Sequence, residues 1–367
     1  MLALRSAFAL LFLVVVGCAP TALSPTPTVV ASQSASPTQT VAPSASLPAR
    51  VQSSNGALPA AAGAFVLFQL PAETGLHAIS FGAEVNGLIG GQAPQTTAGA
   101  AWSQSPYGVP YLVGTTAYGR DGKELGTIPW SESARASKTW SSDGRFLCAA
   151  VPERPATGAQ MRLEMAAIGQ AARLIATGFT TYGDNAGYPV LACDDGTDRA
   201  IVAVFGQGIA PARLWIFKLS TGALIRSVDY VAVMAAGGWV AASADGSLLA
   251  ETVRSGGAGG PWKATIRSTD DGAQLGTVDG FVVHGFTGDK TLVVGANETS
   301  TAVIDWKTGR KAWSTTGPYG GYLPEPAGAR LAVGIGFVGG SDQRDVYLVG
   351  SNGYIALLPE RVRVALR

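Results

Sequence analysis

Short apolar or alternating segments, separated by glycine-containing turns, recur along most of this chain. Two examples are AIVAVF at residues 200–205 and TLVV at residues 291–294. Such segments are too short for helices and rich in β-branched residues, so they predict strands. The pattern indicates an all-β protein whose strands are joined by many tight turns.

The turns repeat with a regular period. One kind of turn contains a glycine after one strand-like segment and before the next. Successive copies are 37 to 53 residues apart, and their glycines are Gly75, Gly122, Gly169, Gly222, Gly272, Gly309 and Gly353. Repeats of this length are typical of propeller blades. Seven copies predict seven blades, with six or eight as the alternatives.

A second kind of turn lies half a period out of phase with the first. Its clearest copies contain Asp143-Gly144 and Asp245-Gly246, and looser copies contain Asp195-Gly196, Gly288-Asp289 and Gly328. Asp-Gly pairs suit hairpin turns because glycine accepts positive φ and aspartate caps its own backbone. Asp143, Asp195 and Asp245 are therefore predicted to be turn formers. Two hairpin turns per repeat imply four antiparallel strands, which is the unit of a β-propeller. We expect the tail at residues 362–366 to pair near residues 65–68.

Two motifs carry a family resemblance. The Ser-x-Asp-Gly-x-x-Leu turn resembles that of WD40-like bacterial propellers, and TAVIDWKTGRKAW at residues 301–313 is similar to the repeat of quinoprotein-like propellers. The resemblance covers the chain from about Ala62 onward. It implies a propeller of packed blades, and such folds serve both enzymes and scaffolds.

The N-terminus has the pattern of a processing segment. An apolar run at residues 7–16 follows a single positive charge and precedes Gly17-Cys18. The run is too short to span a bilayer but fits a signal peptide. The residues before Cys18 resemble the bacterial lipobox, which implies a signal peptide at residues 1–17 and a membrane anchor through lipid on Cys18. An ordinary secretory signal with an incidental cysteine is the alternative. Either reading places the protein outside the cytoplasm of a bacterium.

Composition divides the rest of the chain into two parts. Residues 18–57 consist almost entirely of Ser, Thr, Pro, Ala, Val and Gln, with Arg50 as the one charge. Such a segment cannot bury enough apolar surface to fold, so we predict a disordered stalk. Residues 58–367 form the predicted β-propeller domain.

The net charge bears on the class of partner, and the remaining cysteines bear on whether the protein contains a disulfide. The formal net charge is +1 and charged residues make up 14% of the chain, so nothing favours nucleic acid. Cys148 and Cys193 remain beyond Cys18. Export allows them to form a disulfide, and two buried thiols are the alternative.

Candidate chemistry is sparse. His77 is expected to face solvent on an outer strand. His284 is placed on an innermost strand near the central channel, where it is a candidate ligand or base, although no second His, Cys or carboxylate lies at metal-ligand spacing beside it. Asp194, Asp195 and Asp198 form either a calcium site or, more simply, an acidic surface loop. The glycine-rich segment at residues 255–260 lacks the lysine of a phosphate cradle and is assigned to a loop between strands. No catalytic residue, metal site or cofactor is predicted.

The tryptophans indicate packing more than chemistry. Trp140, Trp215, Trp306 and Trp313 flank the repeated turns and are expected to fill the space between blades. Trp102, Trp130, Trp239 and Trp262 are less regular, so one or two of them are candidates for a binding face. We therefore predict a monomeric binding or scaffold module for an envelope protein or carbohydrate. An extracytoplasmic hydrolase or lyase with carboxylates at the channel mouth is the alternative.

Overall fold

The computed structural model describes residues 50–59, 63–71, 73–89, 102–130, 137–152, 160–180, 190–204, 212–230, 238–256, 259–336 and 343–366. The predicted signal peptide, Cys18 and the predicted stalk up to residue 49 lie outside this part of the chain. The described residues contain no helix long and apolar enough to cross a membrane.

Twenty-eight antiparallel strands account for the ordered structure of the described residues. Five separate sheets have four strands each, in chain order. The first two are β4 (Trp102–Gln104), β5 (Tyr111–Val113), β6 (Thr116–Tyr118) and β7 (Glu124–Thr127), then β8 (Ser137–Trp140), β9 (Phe146–Pro152), β10 (Gln160–Ala167) and β11 (Arg173–Thr180).

The other three sheets follow the same plan. The third has β12 (Val190–Asp194), β13 (Arg199–Val204), β14 (Ala212–Lys218) and β15 (Leu224–Tyr230). The fourth has β16 (Trp239–Ala242), β17 (Leu248–Arg254), β18 (Trp262–Ser268) and β19 (Gln274–Asp279). The fifth has β20 (Val282–Phe286), β21 (Leu292–Ala296), β22 (Ser300–Asp305) and β23 (Lys311–Thr316).

The two ends of the chain meet in one eight-stranded sheet. It contains β24 (Tyr319–Pro324), β25 (Leu331–Ile335), β26 (Gln343–Gly350), β27 (Gly353–Leu357), β28 (Val362–Val364), β1 (Phe65–Gln69), β2 (His77–Ser80) and β3 (Asn86–Leu88). The predicted pairing of the C-terminal tail is confirmed, since Val364 lies opposite Phe68 and Arg363 opposite Gln69. Seven separate sheets are not seen, because β28 pairs with both β26 and β1 and so joins the last five strands and the first three in one sheet.

The successive four-stranded units make this fold an all-β propeller. First strands of neighbouring sheets contact one another, such as β12 with β16 and β16 with β20. Fourth strands such as β7 and β23 are largely exposed. First strands therefore line the centre, and fourth strands form the outer edge.

The core lies between the sheets. Each cluster of buried apolar residues draws on two consecutive groups of four strands, for example Leu163 and Cys148 with Val202 and Trp215. Trp140, Trp215 and Trp306 are buried as predicted. The ring of Trp306 packs on Gly276 of the preceding sheet, where any side chain would collide with it. Large aromatic side chains therefore fill the space between these sheets.

The predicted stalk ends earlier than residue 57. The backbone of Val51 donates to Leu357 at 2.8 Å, on the edge of β27, and that of Leu58 donates to Leu88 at 3.0 Å, on the edge of β3. The Arg50 side chain donates to the Leu358 carbonyl at 3.0 Å and to Asp345 at 2.9 Å. Residues 50–58 thus lie along two outer strands. The reason is that unpaired backbone groups at a sheet edge offer hydrogen bonds that composition alone does not reveal.

Candidate functional site

Three aromatic rings meet on neighbouring innermost strands. The rings of His284 and Tyr319 stack with centroids 4.0 Å apart and planes 15° from parallel. The ring of Trp239 approaches His284 at 5.6 Å with a tilt of 54°. These residues belong to β20, β24 and β16, and we call them the aromatic cluster. Trp239 is 43% exposed, so the cluster presents a large aromatic surface beside two more buried rings.

Local irregularities in the strands place these rings. His284 is the extra residue of a β-bulge, because Val283 pairs with Gly295 and Gly285 pairs with the adjacent Val294. A bulge turns a side chain away from the regular alternation of a strand and is common near functional sites. Gly285, the next residue, is covered by the ring of Tyr322, which any side chain there would displace.

The aromatic cluster is uncharged near neutral pH. Burial lowers the pKa of His284 to about 4, so the imidazole stays neutral. Burial is also the main reason that the pKa of Tyr319 lies well above its usual value, with the nearby Tyr322 adding to it and Arg344 opposing it. The sequence placed His284 correctly on an innermost strand. Among the described residues no group of His, Cys, Asp and Glu side chains is arranged to hold a metal ion.

Arg344 brings a positive charge to the same end of the sheet. It starts from the third strand, β26, and donates from Nη1 to the carbonyl of Gly320 on the innermost strand β24. Its side chain crosses β25 over Gly334, where there is no side chain to block it. Its buried Nε has no hydrogen-bond partner within the described part of the chain. The guanidinium therefore keeps donor capacity close to Tyr319.

The innermost strands carry few other charges. Lys138 on β8 and Arg363 on β28 are positive. Asp194, at the end of β12, is the one carboxylate on strands β4, β8, β12, β16, β20, β24 and β28. Asp194 accepts hydrogen bonds from the Thr197 backbone at 2.7 Å and from Ser142, so its charge is already engaged. Among the described residues, the innermost strands thus carry aromatic side chains and few charged ones.

The opposite end of the same strands carries a ring of tight turns. They connect first to second strands at residues 105–110, 141–146, 194–199, 243–248, 287–292 and 325–330, and we call them the turn rim. Each has a backbone hydrogen bond between residues three apart, such as Gly144 to Ser141 at 2.9 Å. Neighbouring turns are joined, for example by Lys290 Nζ to Asp245 at 2.7 Å and Thr197 to the Asp245 carbonyl at 2.5 Å.

The predicted turn formers are confirmed in two of three cases. Asp143 accepts from Ser141 Oγ at 2.7 Å and from the Arg145 backbone at 3.1 Å, and Asp245 makes the equivalent contacts to Ser243 and Ser247. For Asp195 the prediction is wrong. Asp194 caps this turn instead, and Asp195 contacts Arg145 of the preceding sheet. The turn is shifted by one residue relative to the Asp-Gly pair. Matching the repeats by their Asp-Gly pairs therefore assigned the capping role to Asp195 instead of Asp194.

A pocket of about 230 Å³ lies at the turn rim. Its lining includes the carboxylates of Asp143, Asp245 and Glu325, together with the exposed Tyr107. This matches the carboxylates expected at a channel mouth, but each one is already paired. Both carboxylate oxygens of Glu325 accept from one edge of the Arg330 guanidinium, from Nη2 at 2.8 Å and from Nε at 2.9 Å.

The pKa values of two of these carboxylates also argue against acid catalysis. Burial raises the pKa of Asp245, but hydrogen bonds from Lys290, Ser243 and Ser247 outweigh that effect and hold it below its usual value. At Asp143, too, burial raises the pKa, but hydrogen bonds from Ser141 and Arg145 outweigh that effect and hold the pKa below its usual value. A general acid at neutral pH needs the opposite shift. The carboxylates that line this pocket therefore have the hydrogen bonds and pKa shifts of structural turn residues.

His77 does not face solvent, and that prediction is wrong. It is 1% exposed, stacks on Phe68 with ring centroids 5.3 Å apart and contacts Glu73 through Nε2 at 2.6 Å. The reason is that β2 lies between β1 and β3 and packs its side chains into the core between sheets. His77 is a buried structural residue.

Asp194, Asp195 and Asp198 do not converge on a cation site. The first caps its own turn, the second contacts Arg145, and Asp198 accepts from the Ser220 backbone at 2.6 Å and from its hydroxyl at 2.7 Å. Each carboxylate therefore accepts hydrogen bonds from different groups of the protein, as expected for an acidic surface loop.

Cys148 and Cys193 are joined by a disulfide between neighbouring sheets. Cys148 lies on β9 and Cys193 on β12, both fully buried, with Cα atoms 6.1 Å apart. The glycine-rich segment at residues 255–260 connects β17 to β18 of one sheet, as the sequence predicts.

Sequence comparison identifies no relative for this chain, since no family model matches and no curated protein matches. Among solved structures, TolB from Acinetobacter baumannii aligns over 81% of each chain with a TM-score of 0.42 and 10% identity. The Swd1 (Cps50) β-propeller domain from Myceliophteria thermophila aligns over 76% of this chain and 95% of its own, with a TM-score of 0.41 and 13% identity. Scores this low carry no conclusion about function, and the propeller fold rests on strand pairing.

Proposed function

We propose that this protein is a lipid-anchored, extracytoplasmic β-propeller that binds protein or carbohydrate partners as a monomer. The observation that carries the binding role is the aromatic cluster, in which the exposed Trp239 lies against His284 on the inner surface. Exposed tryptophans supported by neighbouring rings are typical of binding hot spots. The carboxylates at the turn rim, by contrast, are held by donors and do not support a hydrolase or lyase.

The anchor is proposed from the sequence around Cys18. Lipid on this cysteine would hold the protein at a bacterial membrane, and residues 19–49 would separate the propeller from it. The disulfide between Cys148 and Cys193 is consistent with an oxidising compartment, because such bonds persist outside the cytoplasm.

Seven blades are our reading of the eight-stranded sheet. β24 to β27 would form one blade, and β28 would supply the innermost strand of a blade completed by β1, β2 and β3. Two contacts support this closure. Phe65 of β1 donates to Tyr107 of the next sheet at 3.2 Å, and Arg330 contacts Glu84 at 3.6 Å on the other side. The N-terminal and C-terminal strands would then close the ring together.

A substitution at Cys18 tests the anchor. We expect Cys18→Ser to move the intact protein from the membrane fraction to the soluble fraction and to abolish incorporation of an azide-labelled fatty acid. The wild-type chain, expressed and fractionated in parallel, is the control. A Cys18→Ser protein that stays with the membrane would show that the anchor lies elsewhere.

Affinity capture tests the binding role. The wild-type chain, used as bait on solubilised envelopes of the producing bacterium, should retain a partner that Trp239→Ala loses. Tyr107→Ala is the matched control, since Tyr107 is an equally exposed aromatic residue at the turn rim. Equal capture by the wild type and Trp239→Ala would contradict a binding role for the aromatic cluster.

A further inference from the structure

The aromatic cluster and Arg344 combine two features that together specify a ligand. One is a broad aromatic face, supplied mainly by the exposed Trp239. The other is a guanidinium that has hydrogen-bonding capacity left, because its buried Nε is unpartnered within the described residues. Both lie on the inner surface at the end opposite the turn rim.

The first feature favours a ligand with a flat apolar face. The rings of Trp239, His284 and Tyr319 are all uncharged near neutral pH, and they contact one another across three sheets. The C–H face of a pyranose ring packs well on such a surface, while its hydroxyl groups can bond to the polar edges of indole and imidazole. A neutral imidazole both donates and accepts hydrogen bonds, which suits sugar hydroxyls.

The second feature favours a negative charge. The positive charge of Arg344 acts on Tyr319, and the one carboxylate on the described innermost strands, Asp194, is engaged at the far end. Arginine binds carboxylates through two parallel hydrogen bonds. Binding a cation here would place it beside the positive charge of Arg344.

Extra glycines make room for this arrangement. β24 has two residues, Gly320 and Gly321, opposite the single Gly334 of β25, between the pairs Tyr319–Ile335 and Tyr322–Val333. Arg344 passes over Gly334 and Gly320, where a Cβ would lie only 3.2 and 3.0 Å from its Cδ, closer than ordinary contact. The glycines therefore form a track that brings the guanidinium from the third strand to the first.

We propose that the aromatic cluster and Arg344 bind an acidic sugar, with the pyranose ring against Trp239 and the carboxylate on Arg344. This inference rests on the proposed binding function and names its ligand class. The site is formed by residues from β16, β20, β24 and β26, so it exists only in the assembled propeller.

A matched pair of ligands tests the charge preference. Methyl glucuronide and methyl glucoside differ only in a carboxylate against a hydroxymethyl group. Titrated into the full chain and followed by tryptophan fluorescence and calorimetry, the glucuronide should bind at least about tenfold more tightly, as expected for a charge-assisted hydrogen bond. Equal affinities, or no binding of either sugar at high millimolar concentration, would overturn the proposal.

Two substitutions separate the contributions. Trp239→Ala should weaken both sugars about three- to tenfold, as expected for a lost stacking contact. Arg344→Gln should remove the preference for the glucuronide and leave glucoside binding in place. Tyr107→Ala is the control and should bind both sugars like the wild type. If Arg344→Gln is unstable, the affinities of the wild type can be measured at rising salt concentration instead. Salt should weaken binding of the glucuronide and leave binding of the glucoside unchanged, because it screens the charge contact with Arg344.

The outcome distinguishes this proposal from the broader one. If neither sugar binds but Trp239→Ala still abolishes capture of an envelope protein, the acidic-sugar site is wrong and the binding function stands. If Trp239→Ala changes neither sugar binding nor capture, both proposals fail.

Discussion

The two ends of the innermost strands use polar and aromatic side chains in different ways. At the turn rim, the Asp245 carboxylate accepts from Ser243, Ser247 and Lys290, so its capacity is used within the protein. At the aromatic cluster, Trp239 leaves much of its surface open and Arg344 keeps an unpartnered Nε. Satisfied groups stabilise a fold, whereas a buried donor without a partner needs another explanation, such as a ligand that is not present in the structure. The difference indicates that the rim holds the sheets together and that the cluster binds.

The largest expected effect is at the rim. Asp245→Ala should lower the free energy of unfolding by about 2–3 kcal/mol, because it leaves Lys290 and two serine groups without their acceptor. Urea denaturation at neutral pH measures this loss. If the rim is purely structural, sugar binding by the folded variant should not change.

The control for this prediction is another turn aspartate. Asp271 caps its own turn through the Ala273 backbone at 2.9 Å but lies fully exposed. Asp271→Ala should therefore change the melting temperature much less than Asp245→Ala. Equal losses in the two variants would mean that the contact with Lys290 adds nothing and that the rim is only a series of separate turns.

The same contrast explains what the sequence predicts well. The four-stranded repeats could be predicted because they depend on local turn chemistry. The motifs Ser141-x-Asp143 and Ser243-x-Asp245 predict their turns because the hydrogen bonds of each turn lie within a few residues. The turn at Thr287-Gly288-Asp289, predicted as a looser copy, forms the same network, with Thr287 Oγ1 donating to Asp289 at 2.7 Å. The turn at residues 105–110 has no such signal, since Tyr107 stands where Asp143, Asp245 and Asp289 stand in three of the other turns.

The aromatic cluster was predicted only in part. His284 was placed on an innermost strand, and Trp239 was among the candidates for a binding face, but Tyr319 and Arg344 were not identified. Their association depends on bulges in β20 and β24 and on a glycine track, and these depend on pairing between strands far apart in the sequence. The eight-stranded sheet was missed for a similar reason, since β28 pairs with both β26 and β1.

The smallest expected effect is at the cluster and depends on pH. Burial lowers the pKa of His284 from 6.5 to about 4, so the unfolded chain takes up a proton at a higher pH than the folded protein does. The stability that the neutral imidazole contributes is therefore fully present above pH 6.5 and is lost as the pH falls toward 4. We expect a loss of about 1–2 kcal/mol over this range, less than the full pKa shift would give, because His284 is partly exposed.

His284→Phe isolates this effect, because phenylalanine keeps a ring on Tyr319 but does not titrate. The difference in free energy of unfolding between the wild type and His284→Phe, measured by urea denaturation at several pH values, should shift against the wild type as the pH falls from 7 to 4. Other groups titrate alike in both proteins and cancel in the difference. Parallel pH profiles would show that the imidazole is solvated like the open face of Trp239. The cluster would then be a surface patch instead of the partly buried site that the comparison with the rim implies.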